Sequence, residues 1–307
     1  MDKEGFTAYL EGKDHAPITA ARYIKVVERF FGWIKISEEQ ITKPDVLRYL
    51  EHLKNKGFQN ATRQNHLFAL NHYFTFLYQT GQLLSNPCIF LKIRGTNKKK
   101  LHKIYTFEEL QQIFDNYRQL FVHGNDPSPY RSLYAALCSE RNVAILGVLI
   151  YQGVITSEIE RIQIQDLDLM KATIKIRGGR YGMERIFPLK AEQIGMLLHY
   201  LQNTRPQLEQ YHTTETGKLF LALGKKETGN GGLDGALKTI SKNIKSIDQH
   251  FVNFGQIRAS VISFLIKTQG LRKAQYLAGH RHIFSTEGYL SNDLDELTDD
   301  INQLHPF

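Results

Sequence analysis

The chain has 307 residues and a mass of 35.4 kDa, which is long enough for two domains that each bury a core. With 42% hydrophobic and 23% charged residues, its longest apolar run is too short to cross a bilayer, so we expect no membrane partner. The cysteines, Cys88 and Cys138, are too few for a disulfide framework, and the N-terminal MDKEGF carries no apolar signal region, so we expect a cytoplasmic protein.

The net charge of +8 belongs to one part of the chain. Residues 1–104 contain 17 Lys/Arg and 9 Asp/Glu, a surplus of eight, whereas the remainder contains 22 of each. A basic segment of this kind favours a polyanionic partner, although a basic surface without a specific ligand has the same composition.

The first 95 residues are organised as amphipathic helices. Residues 18–34 carry apolar side chains at helical spacing. Thr42, followed by Lys43-Pro44, begins a helix that Gly57 ends, and Thr62 begins another that Gly81 ends. We predict a small all-α bundle of about four helices over residues 1–95.

The third of these helices has a polar face that is suited to nucleic acid. It carries Arg63, Gln64, Asn65 and His66, and arginine and amide side chains commonly contact phosphates and base edges. A solvated face without a ligand is the alternative.

Residues 96–104 are short, polar and cationic, which predicts a linker. Lys98, Lys99 and Lys100 are candidate contacts to a DNA backbone, although ordinary solvated linkers have the same composition.

Residues 105–307 are predicted to form a second, mainly helical domain with a small antiparallel β-sheet. Thr106 and Glu109 have capping-box spacing, and Arg141 to Gln152 reads as a buried helix. Residues 172–176 and 184–189 read as two strands joined by a glycine-rich turn.

A C-terminal stretch places Arg258, His280 and Tyr289 in one short segment, with His280 and Tyr289 nine positions apart. Such a set suits the attack of a phenol on a phosphodiester while cations hold the phosphate oxygens. The stretch, with Leu-Ala-Gly-His before the tyrosine, resembles the catalytic segment of the tyrosine recombinases, the phage integrases and their Xer-like relatives. The helices, the Asn-Pro break and the glycine-rich hairpin follow in the order of that family.

The resemblance implies a helical core-binding domain at 1–95, a basic linker at 96–104 and an α+β catalytic domain at 105–307. It implies that Tyr289 is the nucleophile and that His280, Arg258 and Arg180 contact the scissile phosphate or the leaving group. The implied partner is duplex DNA in the bacterial nucleoid, bound by a homo- or hetero-oligomer such as a tetramer that exchanges C-terminal segments. The implied chemistry needs no cofactor and no metal.

Three positions depart from the family pattern. Ile155 stands where the family has its first catalytic arginine, Gly255 where it has a histidine, and Arg180 where it has a lysine. The loss of one preorganised donor typically costs about 10²- to 10³-fold in rate. Nearby residues that are candidate replacement cations are Arg161, Arg177 and Arg185.

Two hypotheses therefore remain for the chemistry. In one, other cations fill the site and the protein is a site-specific recombinase or integrase that cleaves and rejoins DNA through a 3′-phosphotyrosyl intermediate. In the other, the protein is a catalytically impaired homologue that acts as a DNA-binding partner or an architectural protein. A scaffold without nucleic acid is disfavoured by the charge asymmetry.

Overall fold

The computed structural model describes residues 1–95, 103–122, 133–179, 182–212, 216–222 and 232–290, with the side chains of 121 and 122 left aside. The chain divides into two compact units, residues 1–100 and 101–307. Each unit has its own hydrophobic core, and the two cores share no residue.

The N-terminal unit is a bundle of helices, as predicted. Its aromatic core contains Phe6 and Tyr73 in an edge-to-face pair with ring centroids 5.0 Å apart, and Phe30 and Tyr49 form a second such pair at the same distance. Its helices are α1 (Lys3–Gly12), α2 (Pro17–Ile34), α3 (Lys43–Asn55) and α4 (Asn60–Gln79).

The helix boundaries in this unit follow local sequence signals. The backbone N–H of Thr42 donates to the Asp45 carboxylate (2.8 Å), which fixes the start of α3 as a capping box. The helix predicted to begin at Thr62 begins two residues earlier, at Asn60.

The C-terminal unit is mainly helical. Its first helix begins as predicted, because Thr106 and Glu109 exchange hydrogen bonds of 2.9 and 3.2 Å. A π-helical turn, Tyr200–Thr204, follows one of its helices directly. The helices are α5 (Phe107–Val122), α6 (Leu133–Gln152), α7 (Thr156–Ile159), α8 (Ala191–His199), α9 (Arg205–Glu209), α10 (Asp234–Ile247), α11 (Phe254–Gln269), α12 (Leu271–Ala278) and α13 (Ile283–Glu287).

The small sheet has three antiparallel strands in the order β1 (Leu167–Asp168), β2 (Thr173–Ile176) and β3 (Arg185–Pro188). The pairing of β2 with β3 sets Ile174 opposite Phe187 and Ile176 opposite Arg185. All four side chains of these two pairs are buried, so one face of the sheet covers the core. The inner face therefore includes a buried arginine.

Of the helices in the described ranges, α6 alone is long and apolar enough to cross a membrane by length and composition. Its buried polar residues have partners inside the protein: Arg141 donates to the Leu221 carbonyl (2.8 Å), and Gln152 exchanges hydrogen bonds with Gln193. These contacts are those of a core helix.

Candidate active site

A pocket of about 270 Å³ lies where α7, the β2–β3 connection, α11 and the end of α12 meet. The backbone ties these segments together, because the Met183 N–H donates to the Gly279 carbonyl (2.9 Å). The pocket is lined by Ile155, Ser157, Glu158, Arg161, Gly179, Gly182, Arg258, Ala278, Gly279 and His280. It therefore gathers residues that are up to 125 positions apart (155 to 280).

Arg258 is the most constrained cation of the pocket. Its Nη1 donates to the Gly153 carbonyl (2.6 Å) and its Nη2 to the Ala278 carbonyl (2.7 Å). Burial lowers the pKa of Arg258, whereas Tyr289 and Glu158 nearby raise it. Because arginine stays charged in proteins, Arg258 is a positive charge whose orientation is set by two backbone segments.

His280 is a neutral imidazole in this arrangement. Its Nε2 lies 3.1 Å from Nη2 of Arg258, and its Nδ1 lies 2.9 Å from Oγ1 of the buried Thr286. A guanidinium can only donate, so Nε2 accepts and the proton sits on Nδ1. Burial, then the charges of Arg258 and Arg185, lower the pKa of His280 to about 4.

Tyr289 lies in the turn after α13 and is partly buried. Its ring stacks on the imidazole of His280, with ring centroids 5.8 Å apart and planes inclined by 13°. Its phenol also lies near enough to Arg258 to raise the pKa of that guanidinium. The structure thus brings together Tyr289, His280 and Arg258, the three residues that the sequence placed in one segment.

Beneath these three residues lies a buried ion pair. Arg185 donates to both Glu158 carboxylate oxygens (2.7 and 2.9 Å) and to the Leu277 carbonyl (2.8 Å). Burial raises the pKa of Glu158, but the Arg185 hydrogen bond and charge outweigh this effect and the net pKa is lowered. Gly279 covers the pair: its φ is +71°, and a Cβ there would lie 2.5 Å from Nη1 of Arg185, so only glycine fits.

The prediction that Arg185 could replace the missing cation is therefore wrong. Its side chain has 0% exposure, and its donors are used by Glu158 and by backbone carbonyls. Arg177, another candidate, is held by the buried Asp166 through Nε (2.8 Å) and does not line the pocket. Arg161 does line it.

Ile155 and Gly255, which stand where the family pattern has an arginine and a histidine, differ in their position relative to the pocket. Ile155 is the N-cap of α7, and its side chain lines the pocket with 42% exposure, so a hydrocarbon stands at the pocket wall. Gly255 lies in the first turn of α11, outside the lining. A Cβ at Gly255 would lie 2.8 Å from Oδ1 of Asn253, the atom that caps α11, so a histidine would disturb the cap.

The polar face predicted on α4 is only partly available to a ligand. His66 is buried and its Nδ1 lies 3.0 Å from the Tyr49 hydroxyl, so its prediction as a DNA contact is wrong: helical rotation turns it to the core. Arg63 donates to the Leu50 carbonyl (3.0 Å), and Gln64 accepts from the Ile93 N–H (3.0 Å). Both are half-buried, while Asn65 is exposed.

Some predicted residues lie outside the described ranges. These are Arg180, Lys98, Lys99, Lys100 and the segment that follows Leu290.

Sequence reasoning missed the supporting residues of the pocket. Glu158 stands three residues after Ile155, and this capping-box spacing is a usable signal, since its Oε2 accepts the Ile155 N–H (3.0 Å). Thr286 and Gly153 carry no comparable local signal, because their partners His280 and Arg258 reach them through the fold.

Comparison with known proteins places this site in a family. The phage integrase family model matches residues 106–296, and the model for the phage integrase N-terminal SAM-like domain matches residues 4–81. Tyrosine recombinase XerC of Natranaerobius thermophilus is 26% identical over 315 residues, covering 98% of this chain and 97% of that protein.

Solved structures share the fold. The XerH site-specific recombinase bound to palindromic difH substrate in a post-cleavage complex aligns with a TM-score of 0.65 at 18% identity, covering 92% of this chain and 78% of the other. A lambda integrase dimer bound to a core site aligns with a TM-score of 0.61 at 14% identity, covering 92% of each chain.

The matched model covers more than half of the chain, residues 106–296 of 307. The fold is mainly helical with a small antiparallel sheet, and the protein belongs to the phage integrase family of tyrosine recombinases.

Proposed function

We propose that the protein is a site-specific DNA recombinase that cleaves and rejoins duplex DNA through a phosphotyrosyl bond to Tyr289. The observation that carries the proposal is that the Tyr289 ring stacks on the imidazole of His280, which lines one pocket together with Arg258. The relatives named as tyrosine recombinases, and the DNA complexes among the structures of the same fold, support the same substrate.

The proposed reaction is a transesterification. Oη of Tyr289 attacks phosphorus, an O–P bond forms to the tyrosine, and the bond from phosphorus to the 5′ oxygen breaks. The phenol loses one proton and the 5′ oxygen gains one, so the step consumes no water, nucleotide or redox partner. Attack by the 5′ hydroxyl of a second strand reverses the step. Arg258 stabilises the added negative charge on the phosphate oxygens.

The proposed assembly follows from the same relatives. A lambda integrase occurs as a dimer on its core site. We propose that this chain also assembles on DNA in the bacterial cytoplasm, with the basic N-terminal unit and the linker lysines 98, 99 and 100 holding the duplex backbone. Asn65 is the exposed residue of the α4 polar face that remains for a base or phosphate contact.

A second candidate function is favoured by one observation. Ile155 presents an exposed apolar side chain to the pocket, where the family pattern has an arginine. A chain that binds DNA but cleaves slowly or not at all would act as the DNA-binding partner of an active recombinase.

A covalent trap distinguishes the two functions. Purified protein is mixed with nicked duplexes tiled from the DNA that flanks its own gene, and a denaturing gel is read for a protein–DNA adduct. We expect an adduct that Tyr289→Phe abolishes. Tyr276→Phe is the matched control, because Tyr276 is an exposed tyrosine of the neighbouring α12.

The same duplexes in a gel shift complete the test. Binding without an adduct, at every tile, would overturn the cleavage proposal and support the DNA-binding partner. An adduct that survives Tyr289→Phe would assign the nucleophile to another residue.

A further inference from the structure

Among the described residues that line the pocket, one cation has few partners within the protein. Arg161 follows the short helix α7, and its guanidinium crosses to the β2–β3 connection. A Cβ built at Gly179 would collide with the terminal nitrogens of Arg161, so this glycine makes the room in which the guanidinium lies.

With respect to the described residues, most of the donors of Arg161 are free for a ligand. Its Nε donates to the Ser157 carbonyl (3.1 Å), which anchors the base of the guanidinium. Within the described residues, no carboxylate forms an ion pair with Arg161. The two nearest in sequence are engaged elsewhere, since Glu158 holds Arg185 and Glu160 accepts the Leu233 N–H (3.1 Å).

The other arginines near the pocket are placed differently. Arg185 and Arg177 are paired with buried carboxylates. Arg281 reaches the Gly179 carbonyl (3.4 Å) from the exposed side and does not line the pocket. Arg258 lines the pocket with its orientation already fixed, so a second phosphate-binding cation must come from Arg161 among the described residues.

We propose that Arg161 replaces the cation that Ile155 cannot supply, and that it binds the non-bridging oxygens of the scissile phosphate together with Arg258. This inference rests on the proposed recombinase function. Ile155 is the N-cap of α7 and Arg161 lies two residues beyond its end, so the two side chains line the same pocket from opposite ends of this short helix. A guanidinium suits this role because its paired N–H groups match two phosphate oxygens.

The first test measures phosphate binding and is independent of cleavage. Inorganic phosphate is titrated into protein labelled with ¹⁵N-arginine, and the side-chain Nε–H signals are followed by NMR. We expect the Arg161 and Arg258 signals to shift with one shared dissociation constant. Arg161→Ala should weaken phosphate binding at Arg258 by about tenfold or more, as expected for loss of a charge-assisted hydrogen bond.

The matched control is Arg272→Ala, which removes the same charge from the exposed face of α12, outside the pocket. It should leave phosphate binding unchanged. An Arg161 signal that does not move while Arg258 shifts would overturn the proposal.

The second test uses the covalent trap. Arg161→Ala should slow adduct formation about 10²- to 10³-fold, the usual effect of losing one transition-state donor, while DNA affinity in a gel shift changes by only a few-fold. Arg272→Ala should leave the rate unchanged. Ile155→Arg added to Arg161→Ala should restore much of the rate, because it returns a guanidinium to the same pocket wall.

The experiments can contradict the proposed recombinase function and the proposed role of Arg161 independently of each other. If the wild type forms no adduct, the cleavage function is wrong and the phosphate titration still decides the role of Arg161. If the wild type forms an adduct at a rate that Arg161→Ala does not change, recombination stands and the role of Arg161 is overturned.

Discussion

At the scale of single residues, the site is built by side chains that fix one another before any substrate is bound. Arg258 is held by two carbonyls, and His280 is held by Arg258 on one side and Thr286 on the other. Such preorganisation lets a fixed charge stabilise a transition state without reorganisation during the reaction. The neutral state of His280 is the part of this arrangement that pH can change.

Protonation of His280 is expected to destabilise the fold in acid. Its pKa is lowered from 6.5 to about 4 by burial and then by Arg258 and Arg185, so the unfolded chain takes up a proton at higher pH than the folded one. The stabilisation is complete above pH about 6.5 and is lost as pH falls toward 4, by about 1–3 kcal/mol in total.

The measurement is the free energy of unfolding in urea, followed by circular dichroism at pH 7.5 and 4.5. The wild type should lose about 1–3 kcal/mol more between these values than His280→Asn, which retains a donor for Thr286 and cannot titrate. Equal losses in the two proteins would show that His280 does not carry the pH dependence. Both proteins contain the same carboxylates, so the comparison removes the contribution of carboxylate titration to the pH dependence.

At the scale of elements, the sequence specified the local structure better than the site. Capping boxes at Thr42 and Thr106 are signals of three or four residues, and both helices begin where these signals place them. The strand β1 has two residues, too few to carry a pattern, and it exists because β2 pairs with it. The sequence makes Arg185 on β3 a candidate replacement cation, since nothing local shows that Glu158, 27 positions earlier, neutralises it.

Helix α10 carries a stripe of exposed lysines that leads toward the site. Lys238, Lys242 and Lys245 stand one helical turn apart and line one concave surface with Thr156 and Phe254. Thr156 follows Ile155 and Phe254 precedes Gly255 in the chain, so the stripe adjoins two of the catalytic positions in the family pattern. These ammonium groups form no ion pair with another described residue, and a line of such groups is suited to a DNA backbone.

Replacing the three α10 lysines should reduce the salt dependence of DNA binding. Each phosphate contact contributes about 0.9 to the slope of log affinity against log salt, so the triple alanine variant should lower that slope by up to about 2.7. The measurement is fluorescence anisotropy of a labelled duplex over a series of salt concentrations.

The control removes three lysines that the protein itself neutralises. Lys3, Lys171 and Lys175 pair with Glu28, Asp168 and Glu184 at 2.5, 3.0 and 2.8 Å. The control variant has the same net charge as the α10 variant, and its slope should stay close to that of the wild type. Equal reductions in the two variants would assign the effect to net charge and not to α10.

At the scale of the whole molecule, the chain divides its tasks between two units. The surplus of eight cations belongs to residues 1–104, whereas residues 105–307, which include the catalytic candidates, contain equal numbers of basic and acidic side chains. Under the proposed function, the basic N-terminal part attracts DNA of any sequence and the C-terminal part performs the chemistry, which separates non-specific attraction from catalysis. Each of the two units also has its own hydrophobic core.

Because the two cores share no residue, we expect two unfolding transitions that respond to different substitutions. Leu70 and Ile145 are fully buried, one in each core, and replacing either by alanine should cost about 2–5 kcal/mol. Trp33, the single tryptophan, lies in the N-terminal unit, so its fluorescence should report that unit alone. Leu70→Ala should lower the urea midpoint that is followed by fluorescence. Ile145→Ala should leave that midpoint unchanged and should lower only the midpoint of the circular dichroism transition that reports the helices of the C-terminal unit. Equal shifts of the fluorescence midpoint by both variants would mean that the chain unfolds as one cooperative body.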